Sequence, residues 1–181
     1  MPTVNAYAAQ TATSPLAPFQ IVRRELNAND VQVEILYSGV CHSDVHQARS
    51  EWGPSLYPLV PGHEIVGRVT AVGAEVGRFK VGDLAGVGVL VDSCQHCDSC
   101  SAGLEQYCEN VSTQTYNSRE RESKAITFGG YSTSIVVREE FVLRVPESLD
   151  LKAVAPLLCA GITMYSPLRH WKIGAGHNVA V

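Results

Sequence analysis

The chain has 181 residues, 45% of them apolar and 18% charged, with a formal net charge of -4 and a pI near 5.8. That is enough for one sizeable core, or for one domain and part of another, without disulfides, and an acidic balance with no concentration of Lys and Arg excludes nucleic acid as a partner. With no basic and apolar leader and no long apolar run, the expectation is a cytoplasmic protein with no membrane partner, acting on small molecules, whose thiols stay free for metals or redox chemistry.

In chain order, the alternation in Val31-Gln32-Val33-Glu34-Ile35-Leu36 predicts a strand. Further short β-rich runs follow over 64–72, 82–90 and 131–137, with glycines between them, which predicts a mainly β, barrel-like domain with short helices. One short helix is expected over 43–49, with Ser43 as N-cap and Asp44 near the positive end of its dipole. Residues 117–124 (NSRERESK) read as an exposed charged loop. After Pro146 the stretch 149–165 reads as buried helix, broken or started by Pro156 and Pro167. Residues 174–181 read as a turn feeding a buried parallel strand.

Four cysteines fall within fifteen positions, Cys94, Cys97, Cys100 and Cys108, spaced C-x2-C-x2-C-x7-C. Four thiolates reaching one point suit a closed tetrahedral zinc site with bonds of about 2.3 Å, which contributes folding energy to a lobe poor in apolar residues. An iron-sulfur cluster is the nearest competitor, but its bacterial run closes with x3-C-P, and here the fourth spacer is longer. Unrelated thiols or disulfides remain a third reading. His96, between two of the cysteines, is expected to face solvent.

The other two cysteines lie in C-H-S-D-V-H (Cys41) and L-L-C-A-G-I-T (Cys159), and His63 lies in P-G-H-E. Taken singly each is ordinary, because buried free cysteines are common. Together they offer two thiolates and an imidazole, the protein ligands of a catalytic zinc with a fourth position open. They are too far apart in sequence for spacing to prove that they converge.

At this point a resemblance can be named. G-V-C-H-S-D-V-H, Y-P-L-V-P-G-H-E-I-V-G-R-V, F-K-V-G-D, S-C-Q-H-C-D-S-C, T-Y-N, G-G-Y-S and A-P-L-L-C-A-G-I-T-M-Y-S-P-L, in that order, resemble the zinc-dependent medium-chain alcohol dehydrogenases. Within them the chain is most similar to the cinnamyl-alcohol-dehydrogenase-like branch, which includes broad-range aldehyde reductases. The resemblance implies a GroES-like catalytic domain over 1–149 with a metal lobe at about 92–110. Residues 150–181 would be hinge helices and the first strand of a dinucleotide-binding domain. It implies two zinc ions, a catalytic one on Cys41, His63 and Cys159 with Glu64 as a possible alternate ligand, and a structural one on the four clustered cysteines.

The resemblance also implies roles for neighbours. Asp44 would orient the His63 imidazole, Ser43 and His46 would relay a proton, His42 would meet the cofactor pyrophosphate, and Thr163 would pack on the nicotinamide. Each has a plainer reading: helix capping for Asp44, an ion pair for Glu64, solvent exposure for His42, and a backbone hydrogen bond for Thr163. Trp52 and Tyr57 could line an aromatic substrate slot or anchor a loop. NADP(H) is favoured over NAD(H) by the resemblance alone, and the substrate is a primary alcohol or aldehyde.

The G-x-G-x-x-G turn that would follow the first dinucleotide-domain strand is not among these residues, and Gly174-Ala175-Gly176-His177 precedes that strand instead of following it. The expectation is a truncated enzyme, inactive without its cofactor domain. Self-association through faces meant for that domain is also expected, whereas the full-length family forms homodimers. The alternative is a stand-alone zinc-binding module.

Overall fold

The computed structural model describes residues 3–180. Its centre is a five-stranded antiparallel sheet in the order β8-β3-β4-β5-β9, formed by β3 (Asp30–Ser38), β4 (Ile65–Val72), β5 (Leu84–Val87), β8 (Ser134–Arg138) and β9 (Val142–Arg144). The N-terminal strands β1 (Thr3–Ala8) and β2 (Ala17–Val22) form their own hairpin, and β6 (Leu90–Asp92) pairs with β7 (Thr113–Gln114). The mainly β architecture with short helices is the expected one.

The sheet forms because its central strands alternate β-branched residues toward one core. Val31 and Val33 of β3, Ile65 and Val69 of β4, Ala85 and Val87 of β5, and Ile135 and Val137 of β8 are all buried together with Phe79 and Val142. Each fully buried Val or Ile contributes about 1.5–3 kcal/mol relative to an exposed one. The opposite face of β4 and β5, through Val66 and Leu84, packs with Val145, Val154 and Ala155. The register of β3 against β4 shifts between Gln32 and Val33 and again between Ile35 and Tyr37, and such bulges bend and twist a strand. One shift lies near the start of β3 and the other toward the end that leads into the first helix.

Four helices are short: α1 (His42–Ala48), α2 (Asp98–Ser101), α3 (Leu151–Val154) and α4 (Ala160–His170). The N-cap of α1 is Cys41, two residues earlier than expected, because the Asp44 side chain at the third helical position reaches back to accept the Cys41 N–H at 3.1 Å. The run expected as one strand over 82–90 splits into β5 and β6.

The 149–165 stretch is helical but mostly not buried. Helix α4 buries no residue, and Ile162, Met164 and Tyr165 are exposed. Residues 174–180 form a turn and an exposed extended tail rather than a buried strand, since no strand pairs with them among the described residues; Val181 lies outside those residues. No single helix among the described residues is long and apolar enough to cross a membrane.

Two clusters of metal-ligand side chains

Three separate elements bring the second group of cysteines and histidine together. Cys41 caps α1 just past β3, and His63 and Glu64 immediately precede β4. Cys159 starts α4 after a 3-10 turn over Ala155–Leu158 whose Ala155 is packed against the sheet. Gly62 makes the approach possible. Its φ of +106° is one that side chains rarely adopt, and a Cβ there would stand 2.8 Å from the Gly130 nitrogen.

The result is a group of four donors, from Cys41, His63, Glu64 and Cys159, whose ligand atoms all lie within 4.8 Å of one another. The two sulfurs are 3.8 Å apart, the separation that bonds of about 2.3 Å at a tetrahedral angle require and roughly twice that of a disulfide. Both cysteines are free thiols. Burial and the adjoining Cys41 push the Cys159 thiol up to about 11. At Cys41 burial also acts upward, but hydrogen bonding from Ser43 outweighs it and the thiol sits below its ordinary value. Two sulfurs this close cannot both be thiolates unless a cation lies between them, so the donor set suits a metal.

Behind the ligands stands Asp44, 3% exposed. One carboxylate oxygen is 3.0 Å from His63 Nδ1 and accepts the Gly62 N–H at 2.9 Å, and the other accepts from Cys41. Burial acts to raise Asp44, but its bond with His63 outweighs this and holds it below the usual carboxylate range, while the same bond raises His63 against burial. An ionised acceptor at this distance takes Nδ1–H and leaves the Nε2 lone pair for a ligand role. Glu64 is 2% exposed, and burial raises its pKa.

Two tyrosines complete the surroundings, and sequence reasoning assigned them no role. The Tyr131 hydroxyl donates to Asp44 at 3.4 Å, and the Tyr116 ring lies 5.8 Å from that of His63. Burial and then the Asp44 carboxylate push both hydroxyls well above their ordinary pKa, so they remain neutral. Their only sequence signal was membership in T-Y-N and G-G-Y-S.

Among the described residues, only Ser43 of the remaining expected ones touches a sulfur of this group. Ser43 Oγ lies 3.5 Å from Cys41 Sγ. His46 carries Trp52 stacked on its ring at 4.7 Å, and its Nδ1 lies 2.5 Å from Glu51 Oε2. Glu51 was not anticipated, and nothing in its sequence surroundings marks it. Tyr57 anchors a loop, donating to the Ala48 carbonyl at 2.7 Å. Trp52 is 59% exposed. His42 and Thr163 are exposed, and the Thr163 N–H donates to the Cys159 carbonyl at 2.9 Å in the first turn of α4.

The clustered cysteines meet as well, all four Sγ atoms within 4.8 Å, with Cys94 and Cys100 at 3.8 Å. Helix α2, capped by Cys97, turns the middle pair inward. Backbone N–H groups of Cys94 and Cys97 point at the sulfurs of Cys108 and Cys94 at 3.5 and 3.4 Å. A hydrogen bond with the His96 backbone lowers the Cys94 thiol to about 5. At Cys100 the Ser93 hydroxyl acts downward, but burial and the Cys97 and Cys108 thiols carry it up to about 11. In an iron-sulfur cluster the four thiolates are divided among two or four irons, which spreads them apart, so this packing suits one ion at a single point. His96 faces solvent, its Nδ1 against the Cys94 carbonyl at 2.5 Å. Of the 117–124 loop, Asn117 is drawn inward, its side chain accepting the Leu56 N–H at 2.7 Å.

Comparisons with known proteins follow the same lines. The signature of the alcohol dehydrogenase GroES-like domain matches residues 27–147. The whole chain is 57% identical to NADP-dependent alcohol dehydrogenase C 1 of Mycolicibacterium smegmatis, covering 52% of that protein. It is also 57% identical, over 98% of its length, to the aldehyde reductase YahK of Escherichia coli, of which it covers 51%. Among solved structures, a cinnamyl alcohol dehydrogenase from Sorghum bicolor superposes with a TM-score of 0.92 at 46% identity, over 95% of this chain and 49% of that one. The Helicobacter pylori CAD complexed with NADP(H) superposes with a TM-score of 0.93 at 42% identity, over 96% and 50%. The chain spans about half the length of the curated relatives it matches.

Proposed function

Starting from the fact that the chain belongs to the alcohol dehydrogenase GroES-like domain family, we propose that it carries the metal-binding and proton-transferring part of a zinc-dependent alcohol dehydrogenase or aldehyde reductase. The enzyme would interconvert a primary alcohol, aromatic alcohols included, and its aldehyde with NADP(H). The observation that carries this reading is the convergence of Cys41, His63, Glu64 and Cys159 within 4.8 Å. In it Cys41, His63 and Cys159 hold the catalytic zinc, Glu64 is an alternate ligand, and Cys94, Cys97, Cys100 and Cys108 hold a structural zinc. Residues 1–149 are the catalytic domain, with the metal lobe at about 92–110, and 150–181 are the hinge and the start of the cofactor domain.

A zinc ion bound at the first site supplies Lewis acidity that makes an alcohol proton easier to lose or polarises an aldehyde carbonyl. NADP(H), when bound, supplies the hydride chemistry. Everything else falls to the chain's own groups. Asp44 keeps His63 in the tautomer whose Nε2 faces the ligand side. The Ser43 hydroxyl, beside Cys41, takes the first proton step, and His46 passes the proton toward solvent. Glu51, accepting Nδ1–H of His46, fixes the tautomer that leaves Nε2 free to carry the proton. In this reading His42 and Thr163 meet the cofactor, and Trp52, stacked on His46, is an aromatic wall of the substrate slot.

The exposed apolar residues of α4 support a role as a contact surface, and self-association of the isolated chain through them is part of the reading. Metal analysis tests the proposal. Two zinc ions per chain, falling to one in Cys41→Ser, is the expected result. A single zinc in the unaltered chain, or iron, overturns it.

A further inference from the structure

Helix α1 carries two imidazoles that the reading above uses only for cofactor contact and proton transfer. His42 and His46 are four residues apart and therefore share one helix face. Their ring centroids are 4.7 Å apart, with the planes inclined at 42°. An imidazole bound through nitrogen at about 2.1 Å puts its centroid roughly 3.2 Å from the ion, so this separation corresponds to a nitrogen-metal-nitrogen angle of about 95°, which tetrahedral and octahedral ions both accept with little adjustment. Two histidines at this helical spacing are a recurrent bidentate arrangement for zinc.

A second observation points the same way. The Glu51 carboxylate stands 2.5 Å from His46 Nδ1. An acceptor in that position takes Nδ1–H and leaves the Nε2 lone pair free, as the carboxylates behind metal-bound imidazoles do. Asp44 and His63 form the same arrangement at 3.0 Å in the buried site. His42 and His46 belong to neither of the four-donor groups, and His42 is exposed to solvent.

We propose that His42 and His46, with Glu51 behind His46, form a third metal site, open to solvent, for a borderline divalent cation such as Zn2+, Ni2+ or Cu2+ whose other ligands are water. Binding there withholds the His46 nitrogen from proton transfer, so the cation that completes the buried sites inhibits when in surplus. The inhibition rests on the relay reading given above; the binding does not.

The stacked indole provides the measurement. Trp52 lies 4.7 Å from the His46 ring, and the chain's only other tryptophan, Trp171, stands edge-on to His170 at 4.9 Å. In a zinc-loaded Trp171→Phe chain, freed of surplus metal, Ni2+ should quench Trp52 fluorescence saturably with one equivalent. His42→Gln should abolish the saturable phase, and Glu51→Gln should weaken it about tenfold. Quenching that never saturates, or that is the same in His42→Gln, overturns the site. In the full-length enzyme, saturable quenching without inhibition of aldehyde reduction would support the site and refute the relay.

Discussion

Glu64 occupies the space that a side chain at position 39 would need: a Cβ on Gly39 would stand 2.0 Å from Glu64 Oε2. The Gly39 N–H also donates to the Glu64 carbonyl at 2.9 Å, so the two backbones cannot separate cheaply. Gly39→Ala should therefore destabilise the folded chain by about 1–3 kcal/mol, as overpacking does. In urea denaturation Glu64→Ala in the same chain should recover part of that loss, a non-additivity of at least about 0.5 kcal/mol. Strictly additive effects would mean that the carboxylate is not the obstacle.

Asp44 collects N–H groups from Cys41, Gly62 and His63 on one buried carboxylate. Asp44→Ala should weaken zinc at Cys41, His63 and Cys159 about 10–100-fold, as loss of a ligand-orienting partner does. Metal binding by the four clustered cysteines, the structural site of the proposal, should be unaffected. Zinc release to a chromogenic chelator should separate two phases, of which only one accelerates; equal acceleration of both would contradict the assignment.

The lobe around residues 92–110 has a core of sulfur alone, since the buried cluster there consists of Cys97, Cys100 and Cys108 with Cys94 packed against it. No aliphatic layer would hold the lobe if the metal left. Cys97→Ser, or removal of metal by a strong chelator, should open this stretch to limited proteolysis while β3, β4 and β5 stay protected. A lobe equally resistant with and without metal would place its stability elsewhere.

Arg24 grips Asp30, which is 1% exposed, with both terminal nitrogens, and the same carboxylate accepts the Asn27 N–H at 2.7 Å. Asp30→Ala should cost about 1–3 kcal/mol, because it removes the buried acceptor of the Asn27 N–H and leaves the Arg24 guanidinium to the longer Glu120 contact at 3.6 Å. Adding Arg24→Met should return part of the loss. Thermal melts of the three variants test this, and a double variant no better than Asp30→Ala would show that the pairing is not the source of the cost.

What the amino-acid pattern disclosed, and what it withheld, follows from distance along the chain. Val31 to Leu36 announced a strand by alternation, and the spacing of Cys94, Cys97, Cys100 and Cys108 announced convergence, because both signals are local. The β1-β2 hairpin went unread: the positions of β1 that are buried are the alanines Ala6 and Ala8, which carry little strand signal, and their burial against Val60 is a tertiary effect. Tyr131 and Asp44 are 87 positions apart, and no local rule connects such a pair. The shift of the α1 cap from Ser43 to Cys41 is subtler. Ser43 is the better capping residue by type, but the Asp44 carboxylate, already held by Gly62 and His63, fixes where the helix begins.

Cys41 and Cys159 meet across 118 positions of chain. A link between them closes a loop of that length, and in chain-entropy terms closing about a hundred residues removes roughly 4.7 kcal/mol of freedom from the unfolded polypeptide. An ion gripped by both sulfurs therefore acts mechanically as well as chemically, as a clasp that fastens the start of α4 to the mouth of the sheet. Stripping it should loosen the last twenty residues before the strands notice, and the site would lose its geometry through slackness rather than through collapse.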